Sequence, residues 1–198
     1  MSEESTESKA KHESDFCLPI KRILPEFESV TERYFEPRFR VSSIEDASKD
    51  ECILFHSNRI CVLTLAPSHP IVAEKKNILN IDFRVNGRKG NNTDRSRNKV
   101  SGKWKKGGQQ LAENSTLCTI RCEDRTSYPV VACLKATLVE INENLSKNPQ
   151  LICEHTWSDG FIAILLPSRN SVQSQKETLL TPQMYKEILE KRKNECNS

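Results

Sequence analysis

The sequence predicts a mainly β domain, a small barrel or sandwich closed by one C-terminal helix. Short runs rich in Val, Ile, Leu and Thr recur along the chain (CILFH, ICVLTLA, ILNIDFRV, TLCTIRC, LKATLVEI), with polar turn residues between them. The long helical pattern comes last, in LLTPQMYKEILEKRK. The longest apolar run, Phe161 to Leu166, has six residues, against the roughly 20 a membrane span requires.

Residues 1–26 are rich in Ser, Glu and Lys and are expected to be a disordered tail. Their first fifteen residues contain no apolar stretch of the kind a secretory signal carries. Residues 27–193 are expected to form one domain, followed by a tail at 194–198. The segment FESVTERYFEPRFR brings Phe27, Tyr34, Phe35 and Phe39, rings that can dock on a core. Runs 52–56 and 59–66 flank Ser57-Asn58 and read as a hairpin. In 78–85, Ile81, Phe83 and Val85 share one face, while Asp82 and Arg84 share the other. Residues 86–98 are polar and Gly-rich and read as a loop. A strand-like run at 99–104 follows, closed by Gly107-Gly108.

Strands are expected at 117–122, 128–131, 134–141 and 160–166, with a turn at Glu123-Asp124-Arg125 and one helical turn in NENLSKNP. Residues 168–178 read as a polar linker. The last helix is expected over 181–193, with Thr181 as N-cap and Pro182 at the first helical position. Its apolar stripe is read as Leu180, Met184 and Ile188, with Tyr185 and Leu189 alongside.

Catalytic signatures are missing from this sequence. It has no G-x-S-x-G, no H-E-x-x-H, no phosphate-binding loop and no G-x-G-x-x-G. The four histidines, His12, His56, His69 and His155, have no nucleophile or acid at a useful spacing. Neither an enzyme nor a cofactor is therefore expected. The eight cysteines, in a chain without an export signal, are expected as thiols, mostly packed as small hydrophobes. The rival reading is a zinc site from Cys118, Cys122, Cys133 and His155, although these lack the close paired spacing of structural zinc modules. Cys122, between Arg121 and Arg125, is the one candidate for a reactive thiol.

The net charge is only +3, but its distribution is uneven. Between residues 84 and 106, Arg84, Arg88, Lys89, Arg95, Arg97, Lys99, Lys103, Lys105 and Lys106 stand against one acid, Asp94, with Trp104 among them. These ten cationic and aromatic positions are the candidate partner-binding residues. Such a stretch steers acidic partners in a salt-dependent way. It also suits phosphates, but aromatics for stacking bases are few.

One constellation is specific: LVEINENL at 138–145, then Asn148-Pro149, then Asp159-Gly160-Phe161. With the helix LLTPQMYKEIL it resembles the second half of the glycine-cleavage H-protein family, over about residues 115–190. The resemblance implies a barrel-sandwich hybrid of two small sheets. In that family a lipoyl-lysine occupies a hairpin turn eleven residues before the glycine of an S-G pair. Ala136 takes that glycine's place here, and Arg125 falls at the lysine's position. An arginine guanidinium stays protonated and is not acylated, so the resemblance extends to the fold and not to the carrier chemistry.

A larger resemblance covers residues 29–192, apart from 86–97. VTERYF, CILFHSNRICVLTLAPSHP, NKVSGKWKKG, LVEINENL and LLTPQMYKEIL are similar to the Abitram (Simiate) family. It implies a non-enzymatic actin-binding protein that influences filament assembly and modulates transcription, found in nuclear speckles, cytoplasm and cell projections. Actin, as monomer or filament, is then the expected partner, with nuclear proteins or nucleic acid as alternatives and self-association open. The competing functional readings are a nucleic-acid-binding module and an enzyme-docking module that has lost its lipoyl-lysine.

Overall fold

Strand alternation lays the chain into two facing layers. The structure is a computed structural model that describes residues 30–86, 92–102 and 106–196; the tail expected at 1–26 lies outside these. The strands are β1 Phe35–Arg40, β2 Glu51–His56, β3 Cys61–Leu65, β4 Ile78–Asp82, β5 Arg84–Asn86, β6 Asn92–Asp94, β7 Gln110–Leu111, β8 Thr116–Cys122, β9 Ser127–Val131, β10 Ala136–Ile141 and β11 Ala163–Pro167. The helices are α1 Val30–Tyr34, α2 Pro70–Ala73, α3 Leu151–Glu154, α4 Val172–Glu177 and α5 Pro182–Cys196. One sheet runs β1-β2-β3-β11-β10-β7 and the other β4-β8-β9, with β5-β6 as a separate hairpin. All pairings are antiparallel. The fold is mainly β, two facing sheets with a C-terminal helix, as the sequence implied.

The two sheets enclose the main core. Ile53, Leu63, Leu138 and Leu165 from the six-stranded sheet meet Ile81, Leu117, Ile120 and Val130 from the other. Strand β2 is unusual in being buried on both faces. Ile53 and Phe55 join the main core, while Cys52 and Leu54 join a second cluster with Phe39, Ala66 and Tyr185. This accounts for a CILF run without polar alternation.

Helix α5 covers that second cluster. Thr181 caps it, its Oγ1 accepting the Met184 N–H at 3.3 Å. The Tyr185 ring stacks on Phe39 with centroids 4.0 Å apart. Its hydroxyl accepts the Ser68 N–H at 3.2 Å and lies 2.5 Å from Ser68 Oγ, which donates to Asp50 Oδ2 at 2.5 Å. Two turns further along, Arg192 closes the network. Its guanidinium pairs with both carboxylate oxygens of fully buried Asp50 and donates to the Ser43 and Ile44 carbonyls, each at 2.6 Å. Arg192 is thus the polar partner of both Asp50 carboxylate oxygens inside the protein.

Several sequence expectations need correction. Residues 86–98 are not a plain loop: β5 and β6 pair there, and a 3₁₀ turn follows at Arg95–Arg97. The 99–104 run forms no strand among its described residues, only a bridge from Ser101 to Lys106. The 168–178 linker contains α4, whose Gln175 side chain holds Lys135 by its backbone N–H and carbonyl. The buried strand near 160–166 is β11, Ala163–Pro167; Gly160 lies in a turn, and Ile162 already bonds the backbones of Leu63 and Asn142. Helix α5 runs on to Cys196, beyond the expected end at 193. Met184 is exposed, and the inward face is Tyr185, Ile188, Leu189 and Arg192. The polar anchor at Tyr185 and Arg192 sets that rotation, which the apolar count alone does not reveal.

Two buried ionisable groups oppose each other in pH. Glu51 is 2% exposed, and its Oε2 has no hydrogen-bond partner among the described residues. Arg40 Nη1 stands 3.9 Å from that oxygen, and the Val131 N–H reaches Oε1 at 3.5 Å. Burial pushes the carboxyl up to about 7. His69 is 1% exposed, caps α2 by accepting the Ile71 N–H at its Nδ1, and sits edge-on to Tyr128. Burial pushes it down to about 4.

Arg192→Ala strands Asp50 as an unpaired buried charge. It should cost about 3–5 kcal/mol in urea unfolding; a loss below about 1 kcal/mol would show that α5 does not depend on the pair. The stability that Glu51 contributes is full below pH 4.5 and lost as pH rises through about 7. That of His69 is full above pH 6.5 and lost as pH falls toward about 4. The two slopes therefore oppose each other between pH 4.5 and 6.5. Relative to wild type, Glu51→Gln should gain stability with rising pH across this window, and His69→Asn should lose it. Denaturant midpoints that run parallel to wild type in both variants would contradict the assignment.

Candidate functional site

The specific sequence constellation forms a structural clasp. Asn142 ends β10, is 3% exposed, and donates from Nδ2 to the carbonyls of Asp159 and Phe161 at 2.7 and 2.8 Å. Its Oδ1 accepts the Asn144 N–H and caps a 3₁₀ turn at Glu143–Ser146. Gly160 lies between the two clasped carbonyls. A Cβ there would fall 2.1 Å from the Leu151 carbonyl oxygen and 2.7 Å from that of His155, so a side chain is excluded. The clasp thus fixes the entry into β11. It presents no nucleophile or acid–base pair.

The hairpin joining β8 and β9 carries Arg125 at its tip, exposed and at φ 68°. Asp124 stabilises the turn by accepting the Thr126 N–H at 2.9 Å, and its other oxygen accepts Lys76 Nζ at 2.6 Å. The Lys76 bond holds Asp124 down at about 2. Lys76 lies 3.3 Å from Glu74 as well, and its bond to Asp124 raises its pKa. A lipoyl group does not fit this tip. The tip residue is a guanidinium, which has no amine to acylate, and the neighbouring Lys76 is engaged with Asp124 and Glu74. Lys135 is exposed but stands before β10, tied to Gln175.

The basic positions fall into three groups. Arg88, Lys89, Lys103, Trp104 and Lys105 lie outside the described residues. Arg84, Arg97, Lys99 and Lys106 are exposed. Arg95 is half-buried and serves as an anchor: it donates to the Thr116 carbonyl at 3.3 Å and to Gln109 Oε1 at 2.7 Å. Burial lowers its pKa from the usual arginine value. Gln109 in turn donates to the Asp94 carbonyl. Asn98 fastens the next stretch, bonding the carbonyls of Leu138 and Val139 at 2.9 and 3.1 Å and accepting the Gln109 N–H at 2.8 Å. The β10–β11 register shifts between Leu138 and Glu140, beside the carbonyls that Asn98 takes. The described part of the basic stretch is therefore held to β8 and β10.

Arg121 was missed by the sequence reading. It points outward from β8, 3.9 Å from Asp82 Oδ2, with Arg84 Nε 3.6 Å from the other oxygen. Alternation in TLCTIRC gives its outward direction, but its closeness to Asp82 depends on the β4–β8 register. The cysteines behave as packed thiols: Cys118, Cys122 and Cys133 are buried in the main core, and burial raises the pKa of each. Cys122 thus lacks the electropositive, accessible setting proposed for it. His155 ends α3 and is exposed. Among the described residues no group of three or more His, Cys, Asp or Glu side chains can hold a metal ion.

A family model described as glycine cleavage H-protein matches residues 91–192. A solved glycine cleavage system H protein from Mycobacterium marinum aligns with 71% of this chain and 90% of its own, at 12% identity and a TM-score of 0.46. Among curated proteins, Protein Abitram of Danio rerio is 42% identical over 164 residues, covering 83% of this chain and 90% of its own. Protein Abitram of Homo sapiens is 40% identical over 170 residues, covering 86% and 92%. That of Dictyostelium discoideum is 33% identical over 142 residues, covering 70% and 75%. With identities of 42% and 40% over 90% and 92% of the Danio rerio and Homo sapiens relatives, and a match to the H-protein family model in its second half, the chain belongs to the Abitram family.

Proposed function

We propose that this chain is a non-enzymatic actin-binding adaptor that modulates filament assembly, with a nuclear role in transcription regulation. The reading places it in the nucleus, including speckles, and in cytoplasm and actin-rich projections. The observation that carries it is the anchored basic stretch. Arg95 and Asn98 spend their hydrogen bonds on β8 and β10, while Arg84, Arg97, Lys99 and Lys106 stay exposed. Cations on an anchored frame lose less entropy on binding than cations on a free loop. An acidic protein surface such as actin's is drawn to them at long range, within a Debye length of about 8 Å at physiological salt. The clasp at Asn142 and the ion-paired Lys76 speak against a carrier or catalyst role, since each spends its polar groups on the fold.

The test is co-sedimentation with actin filaments over a salt series, with monomeric actin measured in parallel. Wild type should bind, and binding should weaken as salt rises. Arg84→Glu/Lys99→Glu/Lys106→Glu should lose most of it without a change in melting temperature, because all three side chains are exposed. Binding to neither form of actin would overturn the reading, and so would binding indifferent to salt and to the reversal.

A further inference from the structure

The outer face of the three-stranded sheet carries a polar groove of about 610 Å³, lined by Asp82, Arg84, Asn92, Thr119 and Arg121 among others. Asp82 lies between the two arginines. Its Oδ1 accepts the backbone N–H of Arg84 at 2.9 Å, which fixes the carboxylate at the break between β4 and β5. The guanidinium groups stand off at 3.6 and 3.9 Å, beyond hydrogen-bond distance. Their side chains are 79% and 53% exposed. Asp82 therefore orients both forks electrostatically, yet no described residue takes their donors. A planar guanidinium with its donors unspent matches a carboxylate in bidentate fashion.

We infer that this groove is the acidic-peptide subsite of the basic surface: an extended Asp- or Glu-rich segment of a partner protein lies across β4, β5 and β8, with carboxylates on Arg84 and Arg121. The inference rests on the reading that the partner is acidic. Charge complementarity selects the occupant. The lining sets two guanidinium forks, loosely paired with its one acid, Asp82, beside the Thr116 and Thr119 hydroxyls and the Asn92 amide, and it contains no aromatic ring. Bases of a nucleic acid would have nothing there to stack on.

The test is fluorescence anisotropy with a labelled deca-glutamate peptide and a labelled decathymidylate, on the full chain, at low and at physiological salt. Arg84→Ala/Arg121→Ala should weaken peptide binding roughly tenfold or more. Arg84→Lys/Arg121→Lys keeps the charge and removes the forks, and should still weaken it several-fold. Lys186→Ala/Lys191→Ala removes the same charge from the exposed side of α5 and should leave it near wild type. Equal losses in the alanine pair and the α5 control would overturn the groove, since net charge alone would then explain binding. So would tighter binding of the oligonucleotide than of the peptide, or an unaffected lysine pair. Peptide capture without actin co-sedimentation supports the groove and removes the actin reading. Co-sedimentation without peptide capture does the reverse.

Discussion

The double burial of β2 is the constraint from which the rest of the architecture follows. A strand with Ile53 and Phe55 on one face and Cys52 and Leu54 on the other needs cover on both sides. The three-stranded sheet supplies one cover and α5 the other. The helix is not held by apolar contact alone. The partly buried chain of Asp50, Ser68, Tyr185 and Arg192 fixes both its rotation and its distance along the sheet. A network of this kind is costly to leave half satisfied, so it discriminates strongly between one docking geometry and its neighbours.

Much of the fold was legible because its strands carry strong local signals. The hairpin of β2 and β3 and the alternation of Ile81, Phe83 and Val85 needed only spacing and turn chemistry. The misread segments are those whose structure is imposed from outside. Residues 92–98 contain almost nothing apolar, and their shape comes from Arg95 and Asn98 reaching carbonyls on β8 and β10. Helices α3 and α4, of four and six residues, are too short to show a hydrophobic period. On α5 only Met184 was misplaced, because Met184 and Tyr185 count alike as apolar. Only Tyr185 has a hydroxyl that finds Ser68.

The candidate site was legible in part. Sequence located the basic stretch but could not separate cations that bind the fold from cations that face solvent. Arg95 belongs to the first class, and Arg84, Arg97, Lys99 and Lys106 to the second. Arg121 was invisible because it lies outside the stretch, and only the β4–β8 register brings it to Asp82. The motif shared with H-proteins was legible as a resemblance, and its residues have a plain physical role. Asn142 clasps the carbonyls on either side of Gly160, a position where no side chain fits.

The second half of the chain matches the H-protein family, and its β8–β9 hairpin carries an arginine at the tip where the resemblance places the lipoyl-lysine. Arg125 stands at the tip, and the nearby Lys76 is locked by Asp124. The most direct test is the intact mass of the full chain after co-expression with a lipoate ligase and excess lipoate, with peptide mapping across residues 70–140. The account predicts an unmodified mass and no lipoyl-lysine in any peptide. A chain carrying one lipoyl group, on Lys76 or on any other lysine, would contradict it.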